Sequence, residues 1–416
     1  MRILYLHQYF ATPAMPGGTR SYEMARRLVA AGHEVHMITT DRTPKRRGRG
    51  WYTTREAGID VHWLPVPYGN EMPFGKRIRA FFRFAVAAAH RAVRVGGDVV
   101  FATSTPLTIA IPGVYASRRL RVPMVFEVRD LWPELPIAVG ALRSPVTIAA
   151  ARRLERFAYR NAAHIVALSP GMRDGIVRAG VPPGRVSVIP NSCDIELFGV
   201  DPAVGAGIRS RFAWLGDRPL VVYIGTLGVI NGVGYLVRVA ERVRQLDPEV
   251  RFVVIGSGME AGRIRAEAEA RGLLGTSLFL FDGIPKRDVP AWLSAADVAT
   301  SLFVDLEPMW ANSANKFFDA LAAGRPVAIN YGGWQAELLR ETGAGLVLPA
   351  ADHDLAAKEL LDFLRDTERR REARRAAAGL ARERFDRNRL AAQLRETLES
   401  VVAAKDARAT TAAIGS

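Results

Sequence analysis

The chain has 416 residues, too many for one ordinary hydrophobic core, so length alone argues for two or three domains. Its 49 % hydrophobic and 24 % charged content excludes a disordered chain. The formal charge of +15 reads either as an arginine-rich coding bias or as attraction to phosphates or an anionic membrane face. Nucleic acid is not indicated: there is no zinc-finger spacing, basic zipper or aromatic RNA motif. Met1-Arg-Ile-Leu-Tyr-Leu6 lacks a signal-peptide layout, and no apolar run reaches the roughly 18–20 residues of a spanning helix. One cysteine, Cys193, excludes an internal disulfide and a cysteine-based metal cluster. These features predict a cytoplasmic protein.

Short apolar strands alternate with helical stretches from the start. Arg2–His7 reads as a strand, Gly17-Gly18 as a loop, and Ser21–Ala31 as a helix closed by Gly32. Val35–Thr39, Val61–Leu64, Asp98–Ala102, Pro123–Val128 and His164–Leu168 are further strands. The pattern weakens over Phe198–Ile208, where a domain boundary is placed, and restarts after Phe212. There, Leu220–Ile224, Arg251–Ile255, Leu278–Phe281, Val298–Leu302, Val327–Asn330 and Gly345–Val347 read as strands. Helices are expected over Gly232–Gln245, Glu260–Arg271, Val289–Ser294, Asp354–Arg365, Glu368–Arg384 and Arg387–Ala404, with a frayed tail from Arg408. Such alternation predicts two parallel sheets, each covered by helices on both faces, with ligands beyond the carboxyl ends of the strands.

Three segments carry chemistry. Ser313–Pro326 runs from polar residues into an apolar helix that stops at Gly324. Backbone amides at its start attract phosphate; Lys316 adds a charge there, and Asp319 is placed to accept from hydroxyls. The alternative for Lys316 is a solvated helix-start lysine, and for Asp319 a carboxylate favoured by the helix dipole. Tyr223-Ile-Gly-Thr-Leu-Gly228 is a strand-to-helix glycine turn that either approaches phosphate or simply turns the chain; Gly256 and Gly258, after another strand, read as turn residues. In Glu127-Val-Arg-Asp130, charges crowd the end of an apolar strand, a costly placement unless they are paired or functional. Phe74–Arg94 is amphipathic: Phe74, Ile78, Phe81, Phe82, Ala85 and Val93 share one face, and Lys76, Arg79, Arg83, Arg91 and Arg94 gather opposite. That layout suits an interfacial helix or a surface helix packed on a sheet.

Taken together and in this spacing, Glu127–Glu134, Val188-Ile-Pro-Asn-Ser-Cys-Asp194, Tyr223–Gly228 and Asn315–Pro326 resemble the family-4 glycosyltransferases, closest to bacterial polysaccharide and lipid-linked sugar transferases. The resemblance covers nearly the whole chain. It implies an α/β fold in which two doubly wound Rossmann-like domains face a central cleft, the arrangement called GT-B. Residues 1–200 then form the acceptor-side domain and 201–386 the nucleotide-sugar-binding domain. Residues 387–408 form a terminal helix returning to the first domain, and 409–416 a tail.

The resemblance further implies donor contacts from Gly17, Gly18 and Arg20 in the first loop, unless Arg20 belongs to a plain connector. Gly225, Thr226, Leu227 and Asn231 follow in the glycine turn, Ile284 and Pro285 near the base, and Ser313, Asn315, Lys316 and Asp319 in the third segment. Asn231 stands where the family often has a lysine or arginine, so Lys316 carries more of the phosphate charge. Ala311 replaces the first of the family's two signature glutamates, leaving Ser313, Asn315 or the nearby Glu307 as polar substitutes. Arg129, Asp130 and Glu134 are the candidate catalytic residues, with Asp130 or Glu134 orienting the acceptor hydroxyl. Arg129 stands near the position of a common family histidine; His7 is the other well-placed imidazole, and His33 reads as a turn residue.

The resemblance implies retention at the anomeric carbon, and the transfer is expected to be metal-independent because no Asp-X-Asp motif is plausibly placed and helix termini and basic groups can replace a metal. It needs no cofactor beyond a nucleotide diphosphate sugar, expected to be UDP-linked, as co-substrate. The expected acceptor is a polyprenyl- or lipid-linked saccharide at the inner face of the cell membrane, reached through peripheral contact of residues 74–94 with anionic lipid. A soluble secondary metabolite as acceptor, or a non-catalytic nucleotide-sugar-binding protein, are the alternatives.

Overall fold

The computed structural model describes residues 1–15, 17–42, 50–68, 72, 74–104 and 106–414. Pro16 of the first loop and the side chain of Phe74 lie outside the described set, as do residues 415–416 of the expected tail. The chain divides into two compact units, Met1–Pro190 with Asn388–Ser416, and Asn191–Arg387. The division thus falls at Pro190–Asn191, upstream of the stretch where the sequence pattern weakens.

In the first unit, strands β1 (Arg2–Leu6), β2 (Glu34–Asp41), β3 (Tyr52–Glu56), β4 (Ile59–Pro65), β5 (Val99–Thr103), β6 (Met124–Val128), β7 (His164–Ala167) and β8 (Val186–Val188) form one sheet. Its order is β3-β4-β2-β1-β5-β6-β7-β8. Every neighbouring pair is parallel except β3–β4, a hairpin closed at Ala57-Gly58. The chain winds outward from β1 in one direction and from β5 in the other. That reversal leaves a crevice at the carboxyl ends of β1 and β5. The helices are α1 (Arg20–Ala30), α2 (Phe74–Val95), α3 (Ala110–Leu120), α4 (Glu134–Ala138), α5 (Pro145–Asn161) and α6 (Pro170–Arg178).

The second unit holds β9 (Leu220–Ile224), β10 (Arg251–Ile255), β11 (Leu278–Phe281), β12 (Val298–Ser301), β13 (Val327–Ile329) and β14 (Gly345–Val347) in the order β11-β10-β9-β12-β13-β14, all parallel. The switch point lies between β9 and β12. Its helices are α7 (Ile195–Phe198), α8 (Pro202–Arg211), α9 (Gly234–Leu246), α10 (Ala261–Ala270), α11 (Val289–Ala295), α12 (Asn315–Ala322), α13 (Trp334–Thr342), α14 (His353–Arg365) and α15 (Thr367–Glu383).

β9 shows why these strands are nearly continuous apolar runs. Val221 and Tyr223 enter a core with Leu236, Val239, Leu360 and Phe363, whereas Leu220 and Val222 face the opposite core with Leu215 and Trp292. A strand covered on both faces has no position left for water. On the second face Trp214 stacks on Phe279 with ring centroids 3.6 Å apart.

The last helix, α16 (Arg387–Ile414), extends past residue 408, where the sequence reading ends it. Its Leu390, Ala391, Leu394 and Leu398 are buried in the first unit's core with Ile3, Tyr5, Met24 and Leu28. We expect Leu394→Ala to cost about 2–5 kcal/mol, the usual range for emptying a buried leucine site. Amide hydrogen exchange under denaturant should speed up in β1 and α1 and stay unchanged in β9 and β10.

Candidate functional site

In the second unit, β9 ends at Ile224 and the chain turns through Gly225, Thr226 and Leu227. The Gly225 amide donates to Ile255 O at 3.0 Å, and Leu227 N donates to Ser257 O at 2.9 Å. Gly256 permits this stitching: a Cβ there would lie 1.9 Å from Gly225 O. Gly258 does the same beneath Leu227, whose carbonyl oxygen would meet its Cβ at 2.4 Å. Both glycines are therefore packing residues under the turn. Leu227 is buried and Thr226 is exposed.

α12 begins at Asn315, whose side chain is exposed, and Lys316 follows. Lys316 Nζ donates to Tyr223 Oη at 3.1 Å. With the Asn231 amide oriented to satisfy its neighbours, its oxygen accepts from Lys316 Nζ at 3.0 Å and its nitrogen donates to Thr226 O at 3.0 Å. The ammonium also lies 4.8 Å from the Tyr223 ring centroid and 5.1 Å from that of Phe303. Among the described residues no carboxylate pairs with it. Desolvation lowers its pKa to about 7. Gly225 leaves room here, since a Cβ would touch Lys316 Cε at 3.4 Å. Asn231 and Lys316, far apart in sequence, are thus one unit of the site, with the asparagine holding the lysine.

Ser313 and Asp319 are placed differently from the sequence reading. Ser313 Oγ accepts from Asn191 N at 3.0 Å, and its carbonyl accepts from Asn191 Nδ2. Cys193 Sγ donates to Phe318 O at 3.1 Å. Within the second unit, Asn191 and Cys193 therefore anchor α12 and its approach, with Ser313 as one anchor point. Asp319 is buried and ion-paired with Lys286 Nζ, which sits 4.8 Å over the Phe198 ring. It lies beyond the first helical turn, so the dipole account does not apply. Sequence reading missed Lys286; its signal was the position directly after Ile284-Pro285, at the end of β11. Ile284 is half-buried and Pro285 exposed beside this pair. Glu307 is exposed in the one-turn segment Glu307–Ala311.

In the first unit Arg20 requires a correction. Its guanidinium is 2 % exposed and its donors are spent inside the protein. Nε and Nη2 donate to Glu127 Oε1 at 3.1 and 2.8 Å, Nη1 donates to Pro190 O at 2.5 Å, and Nη2 also donates to Ile189 O at 2.9 Å. Thr103 Oγ1 donates to the other Glu127 oxygen at 2.6 Å. Burial alone would raise the Glu127 pKa, but Arg20 and Arg129, with the bonds from Thr103 and Arg20, hold it below the usual value. Arg20 is a structural staple between α1, β6 and the end of β8. Gly17 and Gly18 are exposed just before it.

At the carboxyl end of β6, Arg129 N donates to Ser104 Oγ at 3.0 Å and Arg129 Nη1 donates to His7 Nε2 at 3.3 Å. His7 is buried, and desolvation with the nearby guanidinium charges lowers its pKa well below the usual value, so the imidazole is neutral. Burial pushes the Asp130 pKa up to about 6, with Arg129 opposing. Arg129, Asp130, His7 and Ser104 thus collect at the crevice between β1 and β5. Glu134 stands apart, exposed at the start of α4. Its neighbour is Glu155 of α5, which sequence reading missed; burial and the Glu134 charge raise the Glu155 pKa to about 7.

The amphipathic face of α2 is largely internal. Phe81 and Ala85 are buried with Phe84, Ala88 and Ala92, and Arg91 turns inward to His62 Nδ1 at 2.8 Å. Phe82 does not share that face; it is 49 % exposed beside Arg79, Arg83 and Val86. No helix among the described residues is long and apolar enough to cross a membrane.

Comparison with known proteins gives two family models end to end. Residues 17–192 match the model "Glycosyl transferase 4-like domain" and residues 207–379 match "Glycosyl transferases group 1". The chain is 25 % identical over 362 residues to the GDP-mannose-dependent alpha-(1-6)-phosphatidylinositol monomannoside mannosyltransferase of Mycolicibacterium smegmatis, covering 80 % of this chain and 90 % of that protein. It is 25 % identical over 336 residues to a GDP-mannose-dependent alpha-mannosyltransferase of Mycobacterium tuberculosis, covering 79 % and 78 % respectively. Among solved structures it is similar to Anabaena Alr3699/HepE in complex with UDP and glucose, with a TM-score of 0.71, 20 % identity, and coverage of 96 % and 100 %.

The Lys316 ammonium makes stability depend on pH. Its pKa in the folded protein, about 7, is below the ordinary 10.5, so between these values the unfolded chain binds more protons and stability rises with pH. The melting temperature of wild type relative to Lys316→Met should therefore climb from pH 7 toward pH 10 and be flat below pH 6.

Proposed function

We infer the reaction from a premise now in hand: the chain belongs to the family-4 glycosyltransferases of the GT-B fold, enzymes that move a sugar from a nucleotide donor to an acceptor. The donor proposed here is a nucleoside diphosphate sugar bound by the second unit. One observation carries this reading. Lys316 is a desolvated ammonium without a carboxylate partner among the described residues, placed between the Gly225 turn and the first amides of α12. A diphosphate supplies the missing negative charge, and the amides supply donors to its oxygens. The Lys286–Asp319 pair, next to Ile284 and Pro285, offers both a donor and an acceptor to ribose hydroxyls.

Bond cleavage between the anomeric carbon and the distal phosphate leaves charge on the diphosphate, where Lys316 stabilises it. The acceptor oxygen bonds to the same carbon, and its proton passes to the departing phosphate oxygen. With no nucleophile required of the protein, attack on the leaving-group face gives retention through an oxocarbenium-like state. In this reading the protein's work is positioning and charge stabilisation, and no metal is needed. Asp130, held near His7 and Arg129, orients the acceptor hydroxyl; Glu134 is placed too far out on α4 to be the first choice.

UDP and GDP remain the two bases to compare, since the Anabaena structure holds UDP and both mycobacterial relatives are named for GDP-mannose. A lipid-linked acceptor at an anionic membrane is supported by the exposed Arg79, Phe82, Arg83 and Val86 of α2 rather than by the helix face that packs inward. The non-catalytic alternative draws on Ala311 alone.

A thermal-shift screen against UDP-, GDP-, dTDP- and ADP-sugars should show stabilisation by one nucleotide class. Lys316→Ala should weaken that donor by about 1–3 kcal/mol, the range for hydrogen bonds to charged groups. Unchanged affinity in this variant refutes the donor site, and binding without turnover of any acceptor extract favours the non-catalytic reading. If ionised Asp130 orients the acceptor, kcat/KM should fall as pH drops through about 6, and Asp130→Asn should be slow and lack that limb.

A further inference from the structure

The outer helices on one face of the first unit's sheet form a second polar feature, unrelated to the donor site. α3 packs against both α2 and α5. Neither α2 nor α3 contains an aspartate or glutamate, and α5 contains one, Glu155, which is buried. Against this stand the exposed Arg79, Arg83, Arg118, Arg153, Arg156 and Arg160. Four of these line a cleft of about 600 Å³ with Phe157 and Asn161: Arg118 from α3, and Arg153, Arg156 and Arg160 from α5.

The helical spacing explains the gathering. Arg153, Arg156 and Arg160 recur at three- and four-residue intervals and so share one face of α5. Arg118 Nη2 donates to Asn161 Oδ1 at 2.6 Å, which holds it toward that face. Among the described residues none of the four has a carboxylate within ion-pair distance. Like charges brought together in this way repel, weakly in open water and more strongly where helices exclude solvent. An oxyanion relieves that repulsion, and guanidinium groups match phosphate oxygens in a two-pronged geometry that lysine cannot supply.

We propose that the α3–α5 cleft is a binding site for a phosphoryl-bearing anion. The rim favours a lipid headgroup as the carrier over a nucleic acid. Val146 lies two turns before Arg153 on α5 and is 77 % exposed, and Tyr115 lies one turn before Arg118 on α3 and is 40 % exposed. Tyr115 continues into the α2 surface, its ring 6.0 Å from that of His90. Exposed apolar groups beside guanidiniums suit the boundary between phosphate and acyl chain.

The test compares wild type with Arg153→Gln/Arg160→Gln, and with Arg265→Gln/Arg382→Gln as a control that removes the same charge from the second unit. Unchanged melting curves and unchanged nucleotide-sugar binding show that each variant is folded. Binding is measured to phosphatidylcholine vesicles with and without phosphatidic acid, and to inorganic pyrophosphate in solution. We expect the cleft variant to lose about tenfold or more in affinity for at least one phosphate probe, with the control unaffected. Loss on vesicles alone assigns a lipid headgroup; loss on pyrophosphate as well assigns the phosphoryl group itself. Equal losses in the control variant, no loss with either probe, or tighter binding to a DNA duplex than to acidic vesicles overturns the proposal.

Discussion

The second unit is organised on a close approach of backbone to backbone. Two strand-to-helix turns, after β9 and after β10, touch where Gly256 meets the Gly225 carbonyl, and no residue with a Cβ fits there without moving one of them. The contact fixes the Gly225–Leu227 turn, which presents its surface to Lys316. Tyr223, whose ring is buried and whose hydroxyl donates to Thr226 O at 2.8 Å, ties the strand end to the same turn and accepts from the lysine. A lysine side chain is thereby bonded to two polar neighbours, partly dehydrated and, among the described residues, without a carboxylate partner. That combination is costly to maintain, and it is the ground on which a diphosphate is proposed as the counter-charge.

Charges elsewhere near the two sheet ends show the contrast. Glu127 is fully buried but meets Arg20 and Thr103, and Arg20 is further satisfied by two carbonyls. Asp319 meets Lys286. These groups are already neutralised, so they shape the site and do not wait for a ligand to balance them. Breaking such a pair from one side strands a buried charge, typically at about 3–5 kcal/mol. The distinction between compensated and uncompensated charge sets Lys316 apart from Glu127, Arg20 and Asp319.

That distinction was not legible in the sequence. The strands were, because a strand covered on both faces is apolar along nearly all its length, as Leu220–Ile224 and, after its first residue, Arg251–Ile255 are. Lys316 at the start of α12 was also legible, since helix entry and charge are local features. The ion pairs of Arg20 and Asp319 were not foreseen, because Glu127 lies 107 residues from Arg20 and Lys286 lies 33 from Asp319. No local pattern announces a pair at such a distance. β3 was missed because Tyr-Thr-Thr-Arg-Glu is an edge strand with two of its five residues exposed, none buried, and too little apolar contrast to stand out. On α2, Phe82 was grouped with the buried face although it lies one residue past Phe81, about a quarter turn around the helix.

The two units also differ in when they can be completed. The second is one uninterrupted stretch, Asn191–Arg387, so all of it is synthesised before the last segment of the first unit. The first begins earlier but finishes later: its core lacks Leu390, Leu394 and Leu398 until the final segment has been synthesised. During that interval an apolar strip on β1 and α1 stays uncovered, open to chaperones or to the same strip on another nascent chain. The earlier-made half therefore matures last, and a premature stop just after residue 387 would leave a finished second unit tethered to an unfinished first one.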